Sequence, residues 1–121
     1  MQETFKLIGE TVSKKNSNKF NTKSRRTYKT KGYMDWYQDA IIQLRPQIKT
    51  KGIDYPVEIS MRFVHGDKRR RDSDNGQTSI LDLLVREGVF VDDCWTIVRR
   101  LHVDNDYEKG NPHCIITIKD L

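Results

Sequence analysis

The spacing of apolar residues switches between helical and strand-like along this chain, and this alternation constrains the fold more than any other feature. Two stretches carry apolar residues three and four positions apart, which predicts amphipathic helices. The first stripe comprises Tyr33, Trp36, Tyr37, Ala40, Ile41 and Leu44, and the second comprises Ile80, Leu81, Leu83, Leu84 and Val85. Each stripe has to be buried against another layer of secondary structure.

Strand-like segments lie before, between and after the two helical stripes. A strand is predicted over Glu3 to Gly9 and another over Val57 to Phe63, where apolar and polar residues alternate. Two more follow the second helix, the first marked by Ile97, Leu101 and Val103 and the second by Cys114, Ile116 and Ile118. We therefore expect a single α+β domain over residues 1–121, with two helices packed on a small mixed sheet of about four strands.

Local signals predict where these elements begin and end. Pro46 terminates the first helix, because a proline cannot continue the hydrogen-bond ladder. Asp74 or Asn75 is predicted as the N-cap of the second helix, and Gly88 suits a left-handed conformation after its last turn. The polar run Asp104 to Asp106 is interpreted as part of the turn between the last two strands.

The segment between the first strand and the first helix is basic and polar. No acidic residue occurs from Thr11 to Met34, and such a sequence cannot bury a core face, so we expect a surface loop at about residues 11–31. Its cations are predicted to contact nucleic-acid phosphates, with Tyr28 as a further contact. The predicted contacts are Lys14, Lys15, Lys19, Lys23, Arg25 and Arg26. The alternative is a solvated tether that binds nothing.

The composition of the whole chain favours a polyanionic partner. The formal net charge is +5 and the isoelectric point is near 9.3. No apolar run approaches the ~18 residues of a membrane span, and the N-terminus lacks the layout of a signal peptide, so a cytoplasmic location is expected. The cysteines, Cys94 and Cys114, form no Cys/His cluster, which argues against a zinc site.

Residues 68–93 combine a run of cations with two pairs of carboxylates. Lys68, Arg69, Arg70 and Arg71 directly precede Asp72 and Asp74, and Asp92 and Asp93 follow about twenty residues later. The cations attract an anionic polymer. The clustered carboxylates repel that polymer unless they hold a cation, and Mg²⁺ and Mn²⁺ prefer such oxygen ligands. The segment therefore predicts an enzyme that binds nucleic acid through the basic run and cuts it with a divalent ion.

The two carboxylate pairs can converge in two ways, and the sequence leaves both open. A helix from Asp74 to Glu87 would be roughly 20 Å long. The six residues from Glu87 to Asp93 span at most ~20 Å when fully extended. The second pair can therefore reach the first within one chain only if this segment doubles back along the helix. Otherwise the two pairs meet across a dimer interface.

Two simpler interpretations of the segment from Asp72 to Asn75, a helix cap and a calcium loop, compete with a catalytic metal site. A helix cap needs one such residue, whereas this segment offers two carboxylates and an amide. A calcium loop that starts at Asp72 would place Gly76 at its fifth position instead of its sixth, and Leu83 where a bidentate glutamate is required. The calcium-loop interpretation therefore fails, and the cap remains as the plain alternative.

Three short motifs follow one another between Arg69 and Asp93. They are Arg69-Arg70-Arg71-Asp72-x-Asp74-Asn75, Asp82-x-Leu84 and Gly88-x-x-x-Asp92-Asp93. Together they closely resemble the RusA family of Holliday-junction resolvases of bacteria and phages. The resemblance implies a RusA-like, homodimeric endonuclease that depends on Mg²⁺, with Mn²⁺ as a substitute. It further implies paired nicks in four-way DNA junctions during recombination and repair, with no membrane or small-molecule partner.

The resemblance also implies roles for individual residues. The essential acidic residues would be Asp72, Asp74 and Asp93, with Asp92 beside them as a further metal ligand and Asn75 as a supporting member of the motif.

One position departs from the family pattern. Thr78 stands where family members commonly carry a lysine that supports catalysis, and Lys14 or Lys15 is the expected substitute. This departure leaves open a catalytically weak or inactive junction-binding protein. A nuclease for other branched DNA or for RNA is a further alternative.

Overall fold

A four-stranded mixed sheet with the strand order β1-β6-β4-β5 forms the centre of the protein. In this computed structural model, the structure describes the backbone of residues 1–14 and 18–121, and the side chains of all these residues except 18–21 and 26–29. The strands are β1 (Gln2–Ile8), β2 (Asn18–Asn21), β3 (Arg26–Lys29), β4 (Val57–His65), β5 (Val98–Tyr107) and β6 (His113–Asp120). The helices are α1 (Lys31–Leu44) and α2 (Gln77–Arg86), and a short 3-10 turn (Arg45–Gln47) follows α1.

The core lies between the sheet and the two helices. Alternate residues of β4, from Val57 to Phe63, are buried, as the period of two predicts. Apolar side chains of β1 and β6 continue this buried face. The helices cover it with Tyr33, Tyr37, Ala40 and Leu44 of α1 and with Ile80, Leu83 and Leu84 of α2. The predicted α+β fold of four strands and two helices is therefore confirmed.

The β4-α2-β5 unit determines at which end of the sheet β4 ends and β5 begins. β4 and β5 run parallel, with Val57 beside Val98 and His65 beside Tyr107. A parallel pair needs a crossover, and α2 carries the chain back from the end of β4 to its beginning. The backbone N–H of Val57 donates to the carbonyl of Ile97 at 2.8 Å, so the chain that enters β5 lies at the start of β4.

The two edges of the sheet differ. Along β1, the backbone N–H groups of Lys6 and Ile8 donate to the side-chain amides of Gln47 and Gln43, at 2.9 and 2.6 Å. The same two amides donate to the carbonyls of Lys6 and Ile8 at 2.8 and 2.9 Å, so α1 and the 3-10 turn after it occupy this edge much as another strand would. In the described part of the chain, no strand pairs with the outer edge of β5.

Three local predictions are wrong. The basic segment is not a loop throughout, because β2 and β3 pair as an antiparallel hairpin within it. Asp104 to Asp106 do not form a turn but extend β5, where Arg62 of β4 binds both aspartates and offsets their charge. The N-cap of α2 is Gly76, with no side-chain capping bond, instead of Asp74 or Asn75.

Other boundaries agree with the sequence. Helix α1 ends before Pro46, and Gly88 adopts a φ of 79° after α2. No described helix combines the length and the apolar composition that crossing a membrane would require.

Gly76 occupies the N-cap of α2 because a side chain there has no room. A Cβ atom would lie 2.5 Å from the ring of Phe63, which is itself buried in the core. We expect Gly76→Ala to lower the free energy of unfolding by about 1–3 kcal/mol, the usual cost of overpacking. Urea denaturation would measure the change.

Gly32→Ala in α1 is the matched control, because nothing lies within 4 Å of its added Cβ. That substitution should leave stability unchanged or raise it by about 0.4–1 kcal/mol. Equal stabilities of the two variants would contradict the proposed steric role of Gly76.

Candidate active site

The loop after β4, residues 66–76, carries the first carboxylate pair. It turns at Ser73 to Gly76, and the backbone N–H of Asn75 donates to the carbonyl of Asp72 at 3.2 Å. Asp72 and Asp74 are exposed, so their carboxylates are available to solvent. The loop thus presents both aspartates at the end of β4, immediately before α2.

A cleft of about 150 Å³ opens beside this loop. Its lining consists of Thr11, Ser13, Phe63, His65, Arg71, Asp72, Asn75, Gly76 and Asn105. Asp72 and Asn75 of the predicted motif therefore line the same cleft. The Asp72 carboxylate lies 3.2 Å from the guanidinium of Arg70, but both groups are largely exposed, so this pair contributes little stability.

Side chains from other elements hold the loop in place. The amide of Asn105 on β5 donates to the carbonyl of Ser73 at 3.0 Å, between the two aspartates. The Oδ1 atom of Asn105 lies 2.9 Å from Nε2 of His65 at the end of β4. Nδ1 of the same ring lies 2.8 Å from the carboxylate of Glu10, so a chain of contacts runs from Glu10 to Ser73.

Arg71 differs from the three cations that precede it. Only 18% of its side chain is exposed, and its guanidinium binds the carboxylates of Glu10 at 3.2 Å and Asp67 at 2.9 Å. It also donates to the carbonyls of Asp67 and Arg69. The pKa of the Asp67 carboxyl is lowered, chiefly by the hydrogen bond from Arg71 and then by that from the backbone of Arg69. Arg71 therefore fastens the loop to the segment after β1.

The other predicted cations of the run point towards solvent. Lys68, Arg69 and Arg70 are exposed, and 87% of the Arg70 side chain is accessible. The ammonium of Lys68 lies 4.9 Å from the centre of the Tyr107 ring, within the range of a cation–π contact. These three residues form an exposed basic surface beside the cleft.

The segment after β1 is clamped onto α2. The buried hydroxyl of Ser79 donates to the carbonyl of Val12 at 2.6 Å and accepts from the backbone N–H of Lys14 at 2.8 Å. The Lys14 ammonium lies 2.8 Å from the Asp82 carboxylate, one turn of helix beyond the exposed Thr78. A lysine amine from the N-terminal segment therefore lies on the flank of α2 near Thr78.

Asp82 joins three elements through its carboxylate. The hydroxyl of Tyr33 donates to it at 3.5 Å, and Arg86 lies 3.4 Å away. Burial, followed by the negative charge of Asp82, raises the pKa of Tyr33 to about 12. The tyrosine therefore stays protonated at neutral pH and serves as a hydrogen-bond donor to Asp82.

The other cations of the basic segment are described only in part. Lys23 and Arg25 are exposed in the turn of the β2–β3 hairpin. Lys15 lies outside the described residues, and the side chains of Lys19, Arg26 and Tyr28 are outside them as well.

The second carboxylate pair lies away from the cleft. Asp92 and Asp93 are exposed in the loop that enters β5, where the backbone N–H of Asp93 donates to the Asp92 carboxylate at 2.8 Å. Among the described residues of one chain, no group of three or more His, Cys, Asp or Glu side chains could hold a metal ion. The doubling back that would unite the pairs within one chain is not observed.

Sequence reasoning missed the residues that position the cleft. Glu10, His65 and Asn105 form contacts that span 32 or more residues of sequence, so no local pattern marks them. Ser79 is a polar residue on the buried side of a helix, and this is the one signal that sequence analysis could have used.

Comparisons with known proteins identify the family of this chain. The family model described as endodeoxyribonuclease RusA matches residues 9–119. The protein named crossover junction endodeoxyribonuclease RusA from Aquifex aeolicus is 27% identical over 119 residues, which cover 98% of this chain and 93% of that protein. Because the match extends from the end of β1 almost to the C-terminus, the chain belongs to the RusA family of endodeoxyribonucleases.

Proposed function

We propose that this endodeoxyribonuclease resolves four-way DNA junctions by paired nicks that depend on Mg²⁺, and that it acts as a homodimer. The family match and the name of the Aquifex aeolicus protein support the reaction and the substrate. The observation that carries the proposal is the loop after β4, where two aspartates are exposed beside exposed cations and one of them, Asp72, lines a cleft. DNA phosphates would bind the cations, and the carboxylates would act at the scissile phosphodiester bond.

The donor atoms of the loop suit a hard divalent cation. Asp72 and Asp74 supply carboxylate oxygens, and Asn75 supplies an amide, without any sulfur or imidazole ligand from the loop itself. We infer that these aspartates, together with Asp92 and Asp93, hold Mg²⁺, for which Mn²⁺ is a substitute. When bound, such an ion polarises a phosphate oxygen and lowers the pKa of a coordinated water.

We infer that the carboxylate set is completed between two subunits. Asp72 and Asp74 follow the end of β4, whereas Asp92 and Asp93 precede the start of β5. The parallel pairing of these strands separates the two positions by nearly the length of β5, about 30 Å for ten residues. In a two-fold dimer, one subunit can supply the first pair and the other subunit the second.

The chain's own residues position the loop and bind the substrate. Glu10, His65 and Asn105 hold the aspartate-bearing loop against β4 and β5, which favours a fixed orientation of the carboxylates. The exposed cations Arg69 and Arg70 engage flanking phosphates, which position DNA without reading its sequence. We infer that the β2–β3 hairpin, which exposes Lys23 and Arg25 at its turn, supplies further phosphate contacts.

A non-catalytic junction-binding protein is the second candidate, and Thr78 is the observation that favours it. Purified protein incubated with labelled synthetic junctions, with and without Mg²⁺, separates the two functions. Metal-dependent symmetric nicks support the enzyme, whereas a salt-sensitive gel shift without product supports the binding protein. Y-forks and duplex RNA in the same assay test whether the protein cuts other branched DNA or RNA.

Asp74→Asn should abolish cleavage of a four-way junction and preserve junction binding. The substitution removes a negative ligand from the candidate metal site, while the phosphate contacts lie on other side chains. Cleavage assays and gel shifts at one salt concentration would measure both properties. Asp35→Asn is the control, because Asp35 is an exposed aspartate on α1 paired with Lys31. Cleavage by Asp74→Asn at the parental rate would remove Asp74 from the site.

Mixing two inactive variants tests whether the sites are shared between subunits. In a heterodimer of Asp74→Asn and Asp93→Asn chains, a shared arrangement leaves one site with all of its aspartates and places both substitutions in the other. We expect the mixture to nick one strand of the junction, although each variant alone is inactive. If heterodimers form and remain inactive, each site is built within one chain.

Arg70 and Arg71 should have different roles despite their adjacency. Arg70→Ala should leave stability unchanged. It should make the dependence of the logarithm of the DNA-binding constant on the logarithm of salt concentration less steep by about 1, the value for one lost phosphate contact. Arg71→Ala should instead lower the free energy of unfolding by about 1–3 kcal/mol, because it removes the partly buried guanidinium that binds both Glu10 and Asp67. Salt titrations and urea denaturation of both variants would show whether the roles separate in this way.

A further inference from the structure

A second cavity, of about 250 Å³, adjoins the cleft beside the aspartate-bearing loop. Three residues line both spaces, namely His65, Arg71 and Asn105, so the two cavities are neighbours. The remaining lining of the second space, which we call the Tyr107 cavity, consists of Asp67, Lys68, Arg69, Ser73, Asp106 and Tyr107. Because Ser73 stands between the two aspartates of the loop, this cavity begins next to the candidate metal ligands.

Backbone hydrogen bonds hold two walls of the Tyr107 cavity together. The backbone N–H of Glu108 donates to the carbonyl of His65 at 3.0 Å. The backbone N–H of Gly110 donates to the carbonyl of Gly66, also at 3.0 Å. The chain that leaves β5 is therefore joined to the start of the loop after β4. The spacing of these walls is set by the backbone, so the cavity does not depend on the positions of mobile side chains.

The charges that line the Tyr107 cavity favour an anionic ligand. Its two carboxylates are neutralised by arginines, since Asp67 binds the guanidinium of Arg71 at 2.9 Å and Asp106 binds that of Arg62. The cations at positions 68 and 69 are exposed. In the part of the chain that the structure describes, neither of them forms an ion pair with a carboxylate. An excess of positive charge therefore remains at the mouth of the cavity.

Tyr107 contributes an aromatic face to this lining. The residue is 41% exposed, and the ammonium of Lys68 lies 4.9 Å from the centre of its ring. A lysine side chain is long and unbranched, so the ammonium can leave the ring and remain solvated. A planar group can then take its place. Nucleobases stack on exposed aromatic rings in this way, whatever their identity, because every base has a π face.

The size of the cavity and its accessible ring suit an unpaired base. An enclosed space of roughly 150 Å³ holds a benzene molecule. The Tyr107 cavity is larger, so it has room for a nucleobase. Within a duplex, the neighbouring bases cover both faces of each base, so only a base that has left the stack can offer a face to the ring.

We propose that the Tyr107 cavity binds one unpaired nucleobase of the DNA substrate, which stacks on Tyr107 while the cations at positions 68 and 69 bind its phosphate. The proposal rests on the proposed function and adds a base-binding subsite beside the candidate metal ligands. Strands change partners at the branch point of a four-way junction, so a base leaves the stack there at lower cost than in a continuous duplex. The captured nucleotide would hold an adjoining phosphodiester bond near Asp72 and Asp74.

Binding to DNA with a single unpaired base tests the cavity separately from cleavage. The probes are a perfect duplex and the same duplex with one bulged adenine, both in buffer without a divalent ion. The parental protein should bind the bulged duplex more tightly. Tyr107→Ala should lose affinity for the bulged duplex alone, by about tenfold, the change expected for one lost base stack. Equal affinities of the parental protein for both probes, or full retention of its preference by Tyr107→Ala, would overturn the proposal.

Two substitutions serve as controls for the ring at position 107. Tyr107→Phe keeps an aromatic face and should keep the preference for the bulged duplex. Tyr55→Ala should keep it as well, because Tyr55 has nearly the same exposure, 40%, but precedes the start of β4, whereas Tyr107 lies beside its end. Loss of the preference in either control would contradict stacking on Tyr107.

The dependence of binding on salt separates stacking from phosphate contacts. Lys68→Ala should make the dependence of the logarithm of the binding constant on the logarithm of salt concentration less steep by about 1. Tyr107→Ala should leave this dependence unchanged, because a stacked base releases no counterions. A less steep dependence in Tyr107→Ala would reject the stacking role.

A fluorescent adenine analogue at the bulge reports stacking directly, because its emission falls when it stacks on an aromatic ring. With saturating protein, the parental chain and Tyr107→Phe should quench the emission, and Tyr107→Ala should leave it bright. Failure of the parental protein to quench would refute the cavity by itself, even if the protein cuts junctions. Quenching by a protein that cuts no junction would instead refute the proposed function and leave the cavity standing.

Discussion

The parallel pairing of β4 with β5 is the constraint on which the site depends. Because the strands run in one direction, α2 has to carry the chain back across the sheet before β5 begins. The carboxylates that follow β4 and those that precede β5 are consequently separated by the length of a strand. A metal site built from both pairs then requires either a long return of the chain, which the described residues do not make, or a second subunit.

The aspartate-bearing loop has little apolar anchorage, so polar contacts determine where it lies. Glu10, which follows β1, and Asn105 of β5 contact the loop directly, at Gly66 and Ser73, and His65 of β4 links the two. Arg71 provides a second link to Glu10. The contacts of Glu10 with His65 and Arg71 are partly buried, which makes them stronger than exposed ion pairs. The basic run therefore divides into one cation that builds the loop and three that face solvent.

The N-terminal segment connects the cleft with the basic hairpin. Ser79 and Asp82 hold its backbone and the Lys14 ammonium on α2, while Glu10 holds its beginning on the loop. The chain up to Lys14 is thus attached to the same helix that follows the aspartates.

The sequence by itself determined the helices, most of the strands and the carboxylate motif, because these follow from local periodicity and from a short run of residues. Tertiary structure decided what depends on distant neighbours. Asp104 and Asp106 lie in a strand because Arg62 faces them, and Gly76 caps α2 because the Phe63 ring fills the space beside it. No spacing rule encodes such contacts. For the same reason the sequence identified Asp93 as a candidate ligand but could not place it at the far end of the sheet.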